Sequence, residues 1–263
     1  EVTVAVIDDG VNPHPDLDRV VAGYDFVSDL ALAGDGDGRD ASPAQVPGSH
    51  GTMSVWHGTH VAGTIGAASD DGRGLAGVDW QARLLPVRVL GKMIPGRGQG
   101  TSIDIVAGIH WAAGLEVPGV PPNPHPAQVL NLSLGGGPLV QAEQDAVDAA
   151  VGRGAVVVVA AGNRGEDATR TSFAGYENVI VAGAVDHDGR RAPYSSFGHV
   201  VDVMAPGGDL GADANADGQP DGVLSTYLDN AGQRAGVEYL EGTSMAAAHV
   251  AGVAALVKAA RPG

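Results

Sequence analysis

Five short runs rich in apolar and β-branched residues recur along the chain, separated by longer segments with a helical pattern. The runs are VTVAVI (2–7), ARLLPVRVL (82–90), QVLNLSL (128–134), AVVVVA (155–160) and VIVAGAV (179–185). Most of their positions are apolar without a regular polar alternation, which is typical of a parallel sheet buried on both faces. Parallel strands need long crossover connections, which the helical segments supply. The sequence therefore predicts an α/β fold with a doubly wound, mostly parallel central sheet and helices on both faces.

The composition indicates one globular domain over residues 1–263, because no change in composition divides the chain. Fifteen Lys and Arg against 31 Asp and Glu give a formal net charge of −16, which disfavours binding to nucleic acid. No uninterrupted apolar run approaches the ~20 residues that span a bilayer, so we expect no membrane insertion. The absence of cysteine excludes disulfides and thiolate catalysis.

Polar residues follow several of the apolar runs. In a parallel sheet these positions lie at the carboxyl ends of the strands, where ligands bind. Asp8 and Asp9 follow the first run, and Asn163 follows the fourth. His57 and Ser244 each stand near the start of a helix-like segment rich in small residues. A serine hydroxyl becomes a nucleophile when an imidazole takes its proton and an acid orients that imidazole. A side-chain amide suits the oxyanion that follows, so the sequence holds the parts of a serine hydrolase.

Each of these residues also has a purely structural explanation. Asp8 is typical of a turn, and Ser244 is typical of a helix N-cap. His57 and His60 form an HxxH pair that would satisfy buried polar groups, His60 especially. A metal pair is disfavoured because no glutamate follows as in HExxH. The segment 242–260 has small residues on every side, and we expect it to be a helix buried in the middle of the domain.

Five motifs decide between these explanations. VAVIDDG, HGTHVAGT, NLSLGGG, VVVVAAGNRG and GTSMAAAHVAG occur in the order and chain direction of the subtilisin-like serine proteases, the subtilases. The chain resembles that family over nearly its whole length, and the order Asp, His, Ser is the one typical of it.

The resemblance implies a serine endopeptidase. Ser244 would be the nucleophile, His57 the general base and then acid, and Asp8 the residue that orients His57. Asn163 and the backbone N–H of Ser244 would form the oxyanion hole. Peptide or protein substrates would bind as an added strand between two extended segments. Those segments are Gly96, Arg97 and Gly98 on one side and Ser133, Leu134 and Gly135 on the other.

The resemblance also implies partners and a location. Subtilases are generally secreted and made with a pro-segment that assists folding and inhibits the enzyme. We therefore expect secretion, an encounter with the protein's own pro-segment during maturation, and a monomer. The chain opens directly on a strand and ends soon after the serine helix, so we interpret it as a processed or truncated catalytic domain.

Two positions depart from the family pattern and leave alternatives open. Ala248 stands where most subtilases have proline, and a less constrained site around Ser244 would make peptide ligation or transpeptidation an alternative to hydrolysis. Asp9 replaces the commoner Ser or Thr, and some subtilases with DDG prefer basic residues near the cleavage point. A catalytically silent binding module is disfavoured because the triad and Asn163 are all present. A nucleotide-binding protein is disfavoured because GRGQG does not directly follow a strand.

Structural calcium is the one cofactor that the acidic loops suggest, and no organic cofactor is expected. The loop 210–222 matches part of an EF-hand, with Leu224 where glutamate is usual. Its candidate ligands are Asp213, Asn215, Asp217 and Asp221. A second acidic turn, DGDGRD, crowds Asp35, Asp37 and Asp40, which repel one another unless they are solvated or neutralised by a cation. By resemblance, a third site would use Asp16 of HPDL and Asp71 of SDDGRGLAG.

Overall fold

A parallel sheet of seven strands lies at the centre of the protein, whose computed structural model describes residues 1–48, 55–72, 74–94 and 99–261. The strands are β1 (Thr3–Asp8), β2 (Tyr24–Asp25), β3 (Arg83–Arg88), β4 (Val129–Leu132), β5 (Val156–Ala160), β6 (Ile180–Val185) and β7 (Val203–Pro206). Their order across the sheet is β2-β3-β1-β4-β5-β6-β7, and every neighbouring pair is parallel. The predicted doubly wound α/β architecture is therefore confirmed.

Helices connect the strands, and a separate hairpin precedes the last helix. The helices are α1 (Leu30–Ala33), α2 (His57–Gly66), α3 (Ser102–Ala112), α4 (Gln141–Gly152) and α5 (Thr243–Ala260), with a short 3-10 turn at Ala168–Arg170. The hairpin pairs β8 (Val223–Leu228) with β9 (Ala235–Leu240) in antiparallel register.

Two apolar layers enclose the sheet, one on each face. Alternate residues of β1 supply both: Ala5 and Ile7 join the layer packed by α3 and α4, whereas Val4 and Val6 join the layer packed by α2 and α5. All six residues of β1 are buried, and so are all four of β4. Burial on both faces explains why the central strands are continuously apolar in sequence.

The five predicted strands correspond to β1, β3, β4, β5 and β6, each within two residues at either end. The sequence pattern did not predict β2, β7 or the hairpin. β2 has only two residues, and β7 is an edge strand in which three of four residues are exposed. Strands of this kind carry little of the apolar signal on which the prediction depended.

Helix α5 corrects one expectation. Its first half is buried as predicted, but Val253, Leu256 and Val257 in its second half are 51%, 45% and 57% exposed. The helix has the length and composition of a membrane span, with a mean hydropathy of 1.3, and half of that window is buried within the fold. Since its buried half packs on the same face of the sheet as α2, we interpret it as a core helix.

Candidate active site

The carboxyl end of β1 and the start of α2 bring an acid and an imidazole together. Asp8 is the last residue of β1 and is fully buried, and His57 is the first residue of α2. The Nδ1 atom of His57 lies 2.7 Å from Asp8 Oδ1. A neutral imidazole in this pair donates its Nδ1 proton to the carboxylate, which leaves Nε2 as the acceptor.

The residues on either side of His57 fix its place. Trp56 is fully buried, and its indole Nε1 donates a hydrogen bond to the Asp229 carbonyl oxygen at 2.9 Å. Gly58 lies so close to the end of β1 that a Cβ atom there would collide with the carbonyl oxygen of Gly10. The sequence around His57 therefore holds the first turn of α2 directly against the loop that carries the acids.

Ser244 lies in the first turn of α5, which begins beside the end of β4. Its Oγ donates a hydrogen bond to the Ser133 carbonyl oxygen at 3.2 Å, and the Ser133 hydroxyl donates to the Ser244 carbonyl oxygen at 2.9 Å. Within the described residues, no hydrogen bond joins Ser244 Oγ to His57. A serine and its base often come into hydrogen-bond distance only when substrate binds.

Asn163 follows β5 and is oriented by the neighbour of the serine. Its Oδ1 accepts hydrogen bonds from the backbone N–H of Thr243 at 2.8 Å and from the Thr243 hydroxyl at 2.7 Å. Two donors on the oxygen leave the amide nitrogen as the free donor. The backbone N–H of Ser244 belongs to the first helical turn, where N–H groups have no partner within the helix. Both donors belong to residues that line one cleft.

Two side chains of the site, His57 and Asp9, have strongly shifted pKa values. Burial lowers the pKa of His57, but the charge of Asp8, the hydrogen bond with Asp8 and the charge of Asp9 outweigh it and raise that pKa to about 9. Burial and the neighbouring Asp8 raise the pKa of Asp9 well above its ordinary value of 3.8, against the opposing effects of His57 and the Gly58 N–H. Perturbed groups of this kind cluster at functional sites.

The candidate catalytic side chains line a cleft of about 730 Å³. Asp8, His57, Asn163 and Ser244 line it together with Ser133, Leu134 and Gly135, the second predicted substrate segment. The first predicted segment, Gly96, Arg97 and Gly98, lies outside the described residues. The next residues along the chain, Gln99 and Gly100, line the cleft.

The comparison with known proteins identifies the family. The model of the subtilase family matches residues 1–263, the whole chain. The chain belongs to the subtilase family. The resemblance drawn from the five motifs is confirmed.

Named relatives agree with this assignment. The extracellular basic protease of Dichelobacter nodosus is 43% identical over 97% of this chain and 42% of its own length. The extracellular protease of Xanthomonas campestris pv. campestris is 42% identical over 98% of this chain and 44% of its own length. Subtilisin DY of Bacillus licheniformis is 38% identical over 99% of this chain and 78% of its own length. The chain thus spans less than half the length of the first two relatives.

A solved protease structure has the same fold. A protease from Pseudoalteromonas arctica superposes with a TM-score of 0.91 at 42% identity, covering 99% of this chain and 78% of that one. The two central sheets and their helices therefore correspond closely, in keeping with the fold expected from the sequence.

Two residues of this subtilase cleft, Thr243 and Glu143, were not singled out from the sequence, and Ser133 was predicted only as part of a substrate segment. Thr243 orients Asn163 and also accepts a hydrogen bond from the Gly162 N–H at 3.0 Å. The Ser133 side chain ties β4 to α5. Glu143 is a buried carboxylate in the first turn of α4 that lines the cleft, and the Tyr176 hydroxyl donates to it at 2.7 Å. The GTS of the serine motif was a usable signal for Thr243, whereas Glu143 resembles any helix-start acid.

His60 belongs to the scaffold. Its Nε2 lies 3.0 Å from the Val223 carbonyl oxygen and 3.1 Å from that of Glu238, which ties α2 to the hairpin. Burial lowers its pKa to about 4, against the hydrogen bonds to those carbonyls, so it is neutral at physiological pH. His57 and His60 face different partners. The arrangement of His60 fits the expectation that it hydrogen-bonds to buried polar groups and has a structural role.

The acidic loops differ in what surrounds their carboxylates. In the loop 213–221, Asp213 accepts hydrogen bonds from the N–H groups of Asp217 and Gly218, and Asp221 accepts one from Ala214. This loop offers only oxygen ligands, and Asn215, Asp217 and Asp221 also line a second, smaller cleft. An all-oxygen set of this kind fits the chemistry of calcium.

The other two candidate calcium sites have protein partners already. Asp35 lies 2.5 Å from the buried guanidinium of Arg88, whereas the charge of Asp40 raises the pKa of the exposed Asp37. Asp16 is buried, and its Oδ2 accepts a hydrogen bond from the Leu75 N–H at 2.9 Å. Asp71 lies on the exposed surface of the loop that follows α2. Across the described ranges, the one place where three acidic or histidine side chains bring ligand atoms within 4.8 Å of one another is Asp8, Asp9 and His57.

Proposed function

We propose that this protein is a serine endopeptidase that hydrolyses peptide bonds through an acyl-enzyme on Ser244. The observation that carries the proposal is the pairing of Asp8 with His57 at 2.7 Å in the cleft that Ser244 lines. The names of the relatives, which are proteases and subtilisins, support the same reaction.

In the proposed reaction His57 transfers the proton, Asp8 orients His57, and Asn163 and Ser244 stabilise the oxyanion. The Nε2 atom of His57 takes the proton of Ser244 Oγ as the hydroxyl attacks the peptide carbonyl carbon, and it later gives that proton to the departing amine. Asp8 holds the imidazole in the tautomer that leaves Nε2 free. The amide of Asn163 and the N–H of Ser244 stabilise the oxyanion that develops on the carbonyl oxygen.

The substrate is proposed to bind as an added strand along Ser133, Leu134 and Gly135. The Ser133 carbonyl oxygen accepts the serine hydroxyl at 3.2 Å, so a peptide paired with this segment would pass directly over Ser244. Gly96, Arg97 and Gly98 are proposed as the opposite wall.

Calcium is proposed as a structural ion, first in the loop that contains Asp213, Asn215, Asp217 and Asp221. A site at Asp16 and Asp71 rests on the family resemblance. A site at Asp35, Asp37 and Asp40 has less support, because Arg88 already provides a positive charge for Asp35. A bound ion would hold its loop in one conformation and so raise the stability of the folded state.

The names of the extracellular relatives support secretion of this protein. Maturation from its own pro-segment and a monomeric state are carried over from the family as proposals.

The experiment that tests the function is labelling with a fluorophosphonate, followed by peptide mapping. We expect modification of Ser244 alone, and none in a Ser244→Ala variant. Folded protein that stays unlabelled would contradict the proposal. Product masses from a peptide incubated with a competing amine then separate hydrolysis from ligation, the alternative suggested by Ala248.

A further inference from the structure

A second buried carboxyl group adjoins the catalytic acid. Asp9 is 2% exposed and Asp8 is fully buried. Oδ1 of Asp8 accepts hydrogen bonds from His57 Nδ1 at 2.7 Å and from the Asp9 N–H at 2.8 Å. Oδ2 of Asp8 is buried and has no hydrogen-bond partner among the described residues. A buried carboxylate oxygen without a donor is costly, so this oxygen needs an explanation.

The surroundings of Asp9 leave one of its own oxygens available. Its Oδ1 accepts a hydrogen bond from the Gly58 N–H at 2.8 Å, and no donor in the described part of the chain reaches its other oxygen. Ligand atoms of Asp8, Asp9 and His57 all lie within 4.8 Å of one another. The two carboxyl groups therefore lie close together at the base of the cleft, and each has one oxygen that no donor of the described residues reaches.

The charges that face Asp9 do not favour a second full negative charge. Asp8 faces it from β1, His57 from α2 and the Tyr227 phenol from β8. His57 is the one cationic side chain that the described residues bring to the pair, and Asp8 already holds it. Two carboxylates this close cannot easily both ionise, and burial together with Asp8 raises the pKa of Asp9 well above 3.8.

We propose that Asp9 keeps its proton at neutral pH and donates it to the free oxygen of Asp8, which makes Asp9 a positioning residue for the Asp8–His57 pair. Both Asp8 oxygens then have donors, and the carboxylate is fixed in the orientation that binds His57 Nδ1. The role in catalysis rests on the proposed function, whereas the shared proton does not.

A neutral Asp9 has a consequence for substrate choice. A preference for basic residues near the cleavage point, suggested by the DDG motif, would need a charged Asp9. In the proposed state that charge is absent at neutral pH and appears only as the pH rises through the pKa of Asp9. Peptides that differ only in Lys, Ala or Glu near the scissile bond should therefore be cut at similar rates at neutral pH.

The test compares Asp9→Asn with Asp9→Leu. Asparagine reproduces a protonated aspartate, because its oxygen accepts from the Gly58 N–H and its amide donates to Asp8. Leucine has a similar volume and no donor. We expect kcat/KM at neutral pH to fall roughly tenfold or more in Asp9→Leu and to be rescued in Asp9→Asn, since a hydrogen bond to a charged group is lost and then restored. We also expect the midpoint of the acid limb to be the same in wild type and Asp9→Asn.

A lower midpoint in Asp9→Asn would overturn the proposal, because it would mean that wild-type Asp9 carries a charge that raises the pKa of His57. Two readouts do not need activity. The infrared difference between wild type and Asp9→Asn should contain the carbonyl band of a protonated carboxyl group, and its absence at neutral pH would also overturn the proposal. The stability gained in Asp9→Asn should grow as pH rises from 3.8 to neutrality, because the folded wild type retains a proton that the unfolded chain releases.

These readouts separate the two proposals. If Ser244 is not labelled but the protonated carboxyl group is found, the proposed function fails and the shared proton stands. If Ser244 is labelled and the band is missing, the reverse holds.

Discussion

Two groups of carboxylates in this protein have similar sequences and opposite environments. Asp8 and Asp9 end a central strand and are buried, whereas Asp213, Asp217 and Asp221 lie in a loop before the hairpin and are mostly exposed. In the buried pair, desolvation and the charge of Asp8 raise the pKa of Asp9. In the exposed loop, the carboxylates accept hydrogen bonds from nearby backbone N–H groups of the same loop.

The difference teaches that burial, rather than the number of acids, decides what such a group does. The buried pair acts across elements, because Asp8 and Asp9 contact residues of α2 some 49 positions away. The carboxylates of the exposed loop accept hydrogen bonds from backbone N–H groups no more than seven positions away along the chain. A change in the pair should therefore alter chemistry, and a change in the loop should alter stability.

The largest effect is expected from Asp8→Asn. Asparagine keeps the shape of the side chain but donates toward His57 Nδ1, which favours the tautomer that has no free Nε2 acceptor. We expect kcat to fall roughly 10⁴-fold, as is typical when a triad acid is replaced in this way. Ser244→Ala gives the background rate. A loss of only a few-fold in Asp8→Asn would show that the buried pair does not control the imidazole.

Asn163→Ala comes next. Removing an oxyanion donor, the role proposed for Asn163, typically lowers kcat by about 10² to 10³-fold, a magnitude known for an oxyanion-hole asparagine in subtilisin. KM should change little, because the donor acts mainly in the transition state.

Thr243→Val provides the matched control for Asn163→Ala. It removes the hydroxyl that orients Asn163 but keeps the backbone N–H that also does so. We expect a smaller loss of kcat than in Asn163→Ala. An equal loss would mean that orientation of the amide matters as much as its presence.

The pH dependence of kcat/KM should reflect the environment of His57. The imidazole must be neutral to accept the serine proton, so activity should rise about tenfold per pH unit below its midpoint. We expect that midpoint above the ordinary 6.5 and no higher than about 9, lower within this range if Asp9 is uncharged. Initial rates from acid to alkaline pH measure it, and a midpoint at or below 6.5 would contradict the effect of Asp8.

The same shift predicts how stability changes with pH. The pKa of His57 is raised in the folded state, so the Asp8–His57 pair contributes stability that is fully present below pH 6.5 and is lost as pH rises through about 9. Asp8→Asn should weaken this dependence. Unfolding in denaturant at several pH values checks it.

Most of the sheet and the residues of the proposed catalytic set could be singled out from the sequence, because both carry strong local signals. The central strands are apolar on both faces, and Asp8, His57, Asn163 and Ser244 each follow or begin a regular element. The family resemblance then supplied their roles. Thr243 and Ser133 were harder to assign, since their function depends on hydrogen bonds between residues 80 and 111 positions apart.

The surroundings of the acids were the part that sequence could not predict. DDG and DGDGRD both read as acidic turns, yet Asp9 is buried beside Asp8 and Asp35 is paired with Arg88. Arg88 ends β3, and nothing in its neighbourhood along the chain indicates that partner. Burial and partners that are distant along the chain decide the environment of these groups, and periodicity along the sequence contains no measure of either.

The smallest effect is expected in the exposed loop and concerns stability. Calcium should raise the Tm of the wild type, since an ion that binds only the folded state at 100 times its Kd adds about 2.7 kcal/mol. Asp217→Asn should lose most of that increment, while the midpoint of the acid limb stays where it is. Asp188→Asn removes the same charge from another exposed turn and should retain the increment. If both variants lost the calcium-dependent increase in Tm equally, calcium would be acting through the overall negative charge of the protein. The interpretation of the exposed loop as a calcium-binding site would then be wrong.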